Sequence, residues 1–105
     1  MGKLLVAIVH PLDAEAVNEA IRNGGYAATR LGSVGGFLGG SSSTFLMAID
    51  DTDEAAVLAI FERTCSTHEV KVPLVLHERL KDLPNLVSHS GAHVFVVELA
   101  RHLRF

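Results

Sequence analysis

Lys3 is followed by an unbroken apolar run from Leu4 to Val9. Such a run is too short for a helix and predicts a buried strand over 3–9. Pro11 stops it. Asp13 is placed to cap a helix, with Leu12 positioned to staple against Val17. Val17, Ala20 and Ile21 then recur on one helical face, while Glu15, Asn18, Glu19 and Arg22 lie elsewhere. Gly24 and Gly25 end the helix, because glycine accepts a left-handed cap. The chain resumes as a strand over 26–33, with Ala27, Thr29 and Leu31 on one face and Tyr26, Ala28 and Arg30 on the other. Gly35 to Ser43 is dominated by glycine and serine and predicts a loop. A third strand follows over 44–49.

Asp51 and Glu54 have the spacing of a capping box and open a second helix. Val57, Leu58, Ile60, Phe61, Thr64 and Cys65 follow at helical spacing. Val70 to Leu76 reads as a strand in which Pro73 marks an edge or a bulge. The polar stretch 77–90 predicts a loop, 92–97 a further strand, and the tail from Glu98 to Phe105 a short helical turn. This order predicts one α+β domain over 1–105: a ferredoxin-like βαββαβ sandwich, with two helices on one face of an antiparallel sheet. The other sheet face then needs a cover, and packing against further copies of the chain supplies one.

Composition narrows the function. The chain has 105 residues, 49% of them apolar, enough for one modest core that benefits from burial between subunits. The net charge of −3 without a basic stripe argues against nucleic acid. Anion binding stays open, because backbone N–H groups can cradle a phosphate. A single cysteine, Cys65, forms no internal disulfide and fits a reducing compartment. No secretory signal or apolar stretch of membrane-spanning length occurs, so a cytoplasmic protein is expected.

The glycine-rich segment is open to two readings, a flexible hairpin loop or a ligand loop in which glycines allow close approach. It is not a phosphate-binding P-loop, since no Gly-Lys-Ser/Thr closes it. Phe37 within it either stacks on a base or plugs a subunit interface. His89 and His93 are four apart, but Gly91 and a strand start separate them, so no metal site is expected. Cys65 reads as a buried inert thiol, and Asp50, Asp51 and Asp53 as helix-end charges. No catalytic constellation or cofactor fingerprint stands out, so neither an enzyme nor a cofactor is expected.

Several strings resemble the PII-like cyclic-di-AMP receptor family: the opening Lys3 to Val9, Ala28-Thr29-Arg30-Leu31, Gly35-Gly36-Phe37-Leu38, Ser43-Thr44-Phe45-Leu46, Thr64-Cys65, and Ala92 to Val96. They fall in family order and leave out only about residues 69 to 90. The resemblance implies a homotrimer that binds a small nucleotide, cyclic-di-AMP, in clefts between subunits. Binding would order the loops, and an unidentified downstream protein would read the change. Thr29 then matches a polar contact, and Gly36 and Leu38 match backbone contacts. Phe37 matches an aromatic that packs on a base. Ser42 stands at a ligand-contacting position, and Phe95 and the tail match the neighbouring subunit's side of the cleft.

The chain also departs from that pattern. Ala27 stands where the family usually has arginine, Ser42 where it has asparagine, Gly39 where a basic residue is common, and Arg104 at a glutamine. The stretch between 77 and 91 is shorter than in relatives. Loss of a guanidinium removes a strong hydrogen-bonding cation, and loss of an amide removes a paired donor and acceptor. These changes leave an alternative: a ferredoxin-like trimer without nucleotide binding, serving as an interaction module or a metal binder.

Overall fold

Alternation along β1 (Gly2–Val9) decides what meets the helices. Leu5, Ala7 and Val9 are fully buried, while Leu4, Val6 and Ile8 are half-buried. The computed structural model describes residues 2–34, 41–66, 68–71, 86–89 and 91–105. After β1 come α1 (Ala14–Asn23), β2 (Thr29–Val34), β3 (Ser41–Asp50), a 3-10 turn (Asp51–Asp53), α2 (Glu54–Thr64), β4 (His68–Lys71), β5 (Leu86–His89) and β6 (Ala92–Glu98). Four strands form one antiparallel sheet in the order β2-β3-β1-β6, and β4 and β5 pair separately. This is the ferredoxin-like α+β arrangement, with β6 as the fourth strand of the sheet.

The core lies between the sheet and the two helices. Leu5, Ala7 and Val9 of β1 and Phe45, Met47 and Ile49 of β3 meet Ala14, Val17 and Ile21 of α1 and Val57, Ile60 and Phe61 of α2. Arg30 closes the β2 side. Its guanidinium carbon lies 5.7 Å from the Phe45 ring centroid, Nη1 donates to Glu15 Oε1 at 2.7 Å, and Nε donates to Ser43 Oγ at 3.2 Å. At the far end Lys3 bonds Glu98 and lies 3.9 Å from Glu54, joining β1, β6 and α2. The hydrogen bond to Glu98 is the main reason the Lys3 pKa rises above its ordinary value.

Local details differ from the sequence expectation, each for a physical reason. Asp13 makes no side-chain cap bond to α1; Oδ2 accepts instead from Ser66 N at 3.3 Å, and Leu12 stands 74% exposed, so no staple forms. Strand β2 starts at Thr29 rather than Tyr26. Gly25 has φ of 81°, and the Tyr26 and Gly25 N–H groups reach back to Ile21 O and Arg22 O, so this segment still closes the helix. Strand β3 begins at Ser41, which brings Ser42 and Ser43 out of the expected loop and opposite Ser33 and Gly32. Helix α2 begins at Glu54, directly after the 3-10 turn. Leu86 to His89 is strand, not loop, and the tail from 99 to 105 forms no helical turn. Of the strand expected over 70–76, only 70 and 71 lie among the described residues.

A buried polar knot holds the top of the fold. His10 N donates to Gly91 O at 2.8 Å, and Leu12 N donates to His10 Nδ1 at 3.1 Å. Together with the Asp13 bond to Ser66, these contacts set the end of α2 beside the start of β6. Ser66 and Gly91 therefore lie side by side.

Candidate functional site

Strand parity sends one set of side chains away from the helices. Across the sheet the register aligns Thr29, Leu46, Val6 and Phe95 in one row. Leu31, Thr44, Ile8 and His93 form the next row, and Ala48, Leu4 and Val97 another. This second face is largely apolar, and Leu31, Phe95 and Val97 are 47%, 49% and 52% exposed. A face of this kind marks an interaction surface.

The sequence-predicted site residues distribute around it. Thr29 stands exposed at the start of edge strand β2, and Phe95 sits on edge strand β6. They share a row, but three strand spacings of about 4.8 Å hold them about 14 Å apart. Ser42 is 7% exposed and has the parity of Leu46, four residues along β3, or about 13 Å away by strand rise. One chain therefore places Thr29, Ser42 and Phe95 on one face without bringing them together. Gly36, Phe37 and Leu38 lie outside the described residues, between the end of β2 and the start of β3.

Sequence reasoning passed over a cleft of about 370 Å³ where β1 begins and β3 ends. Tyr26, Ala27, Ala48, Leu99, Arg101 and His102 line much of it, with Asp50 and Asp53 at its acidic side. The tail reaches it because Leu99 N donates to Gly2 O at 3.1 Å, carrying the ladder past β6. Ala27 is the position where the resemblance places arginine, and its methyl group leaves that wall short. No periodicity connects Arg101 and His102 to Ala27; only the pairing of β6 with β1 does.

Cys65 lies just beyond α2 beside Phe61, Gly91, Ala92 and Val94. Burial pushes its thiol above the ordinary value; a contact with Thr64 Oγ1 at 3.8 Å offsets part of this, and Asp13 adds to it. Alkylation by iodoacetamide is therefore expected to have its pH midpoint above that of free cysteine, because the thiolate is the reacting form. A midpoint at or below the free value would contradict the burial described. Among the described residues no three His, Cys, Asp or Glu side chains converge as metal ligands. No helix of the described residues is long and apolar enough to cross a membrane.

The family model described as "Cyclic-di-AMP receptor" matches residues 2–105. The chain belongs to the cyclic-di-AMP receptor family. That makes it a member of a PII-like binding family. Among solved structures it is similar to a functionally unknown protein from Pediococcus pentosaceus ATCC 25745, with 29% identity and a TM-score of 0.74, covering 99% of this chain and 97% of that one. A DUF3240 family protein from Shewanella baltica OS155 shares the fold at 12% identity and a TM-score of 0.54, over 99% of this chain and 96% of that one. No curated protein matches the chain. Within the receptor family frame, Thr29, Ser42 and Phe95 are the described residues that the motif resemblance marks as ligand contacts, and all three have the parity of one sheet face.

Proposed function

We propose that this chain is a non-catalytic signalling receptor that assembles as a homotrimer and binds cyclic-di-AMP in clefts between protomers. The match to the receptor family over residues 2–105 carries the reading. The geometry supports it through the apolar face, which needs a cover, and through Thr29 and Phe95 at its opposite edges. Thr29 offers a hydroxyl to the ligand, and Gly36 and Leu38 offer backbone groups. Phe37 stacks on a base, Ser42 supplies a short polar contact, and Phe95 comes from the neighbouring protomer. Ligand preference for one state of the connecting segments supplies the signal, which a partner protein reads.

Isothermal titration with cyclic-di-AMP, cyclic-di-GMP, AMP, ADP and ATP tests the reading. Cyclic-di-AMP is expected to bind most tightly, at about one molecule per protomer. Absence of cyclic-di-AMP binding by the folded protein would overturn it. Phe95→Ala should weaken binding by about tenfold, as loss of one aromatic contact to a base costs about 1–3 kcal/mol. Unchanged affinity in that variant would remove Phe95 from the site.

A further inference from the structure

The turn after β1 is built on a histidine whose hydrogen bonding requires the neutral ring. His10 is 9% exposed, and its Nδ1 accepts from Leu12 N at 3.1 Å. A ring nitrogen that accepts an N–H carries no hydrogen itself, so the neutral ring holds its hydrogen on Nε2. His10 also ties two other elements together. Its N–H donates to Gly91 O at the head of β6, and its carbonyl accepts from Asp13 N at 2.9 Å. Asp13 is 7% exposed, and its Oδ2 accepts from Ser66 N just past the end of α2. Ser66 and Gly91 pack so closely that a Cβ on Gly91 would lie 2.6 Å from Ser66 N.

The charged surroundings of this seam single out one partner for His10. Among the described residues, the elements meeting there bring Asp13 and Glu15 from the head of α1, Glu62 and Cys65 from the end of α2, and His93 from β6. Glu15 is held by Arg30. His93 has the parity of the other sheet face, in the row of Ile8 and Thr44. Glu62 and Cys65 line a hollow against Gly91 and Ala92. Asp13 alone shares the turn with His10, and its carboxylate is the acceptor that holds Ser66.

We propose that His10 is a proton-operated latch: the neutral ring holds the end of α2 against the head of β6, and the charged ring releases it. A proton taken from water adds a hydrogen to Nδ1, directly opposite Leu12 N–H. Two donors then face each other, and the bond that fixes the turn is lost. The imidazolium attracts the Asp13 carboxylate in the same turn and draws it from Ser66 N. Both strands of the knot thus depend on one protonation. The Leu12 side chain is 74% exposed, so the turn can open without pulling an apolar group from the core. The seam is closed while the ring is neutral and opens as pH falls through its titration. The proton is here a second input, separate from any nucleotide.

NMR of the parent protein between about pH 8 and pH 5, the range in which histidine changes charge, tests the latch. Ring nitrogen and Hε1 shifts follow His10, and amide protection factors, corrected for intrinsic exchange, follow the seam. Protection at His10, Leu12 and Ser66 is expected to fall by about tenfold or more as the ring titrates, the effect of losing a buried hydrogen bond. Leu5 and Met47, inside the β1–β3 ladder, should keep theirs. A ring that stays neutral across the range, or one that titrates without loss of protection, would overturn the proposal. His10→Asn supplies the second test, because an asparagine side-chain oxygen accepts from the N–H two residues on and does not titrate. That variant is expected to hold the seam closed throughout the range. The same loss of protection in His10→Asn would assign the response to Asp13 and remove His10 from it. No nucleotide enters either measurement, so the outcome leaves the receptor reading untouched.

Discussion

Phe45→Ala is expected to lower the unfolding free energy by about 4 kcal/mol, the middle of the range for removing a buried phenyl ring. Phe45 is fully buried and heads the large core side chains. It sits in the central layer, opposite Ala7 on β1 and Arg30 on β2. Its loss leaves a cavity that Ala7 is too small to fill, and it also removes the ring beneath the Arg30 guanidinium. That guanidinium links β2 to Glu15 of α1 and to Ser43 of β3. The same variant should therefore loosen β2 and with it the position of Thr29. Urea unfolding at fixed protein concentration measures the stability change, fixed because assembly contributes to stability by mass action. A loss under about 1 kcal/mol would mean that the core collapses around the gap.

Gly91→Ala is expected to cost about 3 kcal/mol, at the upper end for overpacking. A Cβ there would lie 2.6 Å from both Ser66 N and Asp13 Oδ2 and would also collide with Ser66 O. Two of these atoms are backbone, so no rotamer change relieves the clash. Relief requires parting α2 from β6, which breaks the knot through Asp13 and His10. Gly32→Ala is the matched control: nothing lies within 4 Å of its added methyl group, and its cost should stay within about 0.5 kcal/mol. Equal unfolding midpoints for the two variants would show that the knot is not rigid.

The fold was legible where the apolar pattern is strong: the short unbroken run from Leu4 to Val9 marked β1, and Val17 and Ile21, recurring at helical spacing, marked α1. Boundaries failed where a long-range partner overrode local chemistry. Ser41 to Ser43 have loop composition, yet pairing with β2, and of Ser43 with Val9 of β1, holds them in β3. Asp13 has the chemistry of a cap, yet Ser66, distant in sequence, takes its carboxylate. Thr29, Ser42 and Phe95 were reached through motif resemblance, and their shared face through parity. Their separation was invisible in sequence, because strand order sets it: with β1 and β3 in the middle, β2 and β6 become edges. The cleft beside Ala27 was missed for a related reason, since its walls come from both ends of the chain.

The meeting of Ser66 and Gly91 has an evolutionary consequence. A segment that departs and returns at one fixed point can change length with little effect on the body, since closure entropy rises by only about 0.6 kcal/mol for each doubling of loop length. A change of chain length between Ser66 and Gly91 can therefore accumulate while the knot and the four-stranded sheet stay as they are.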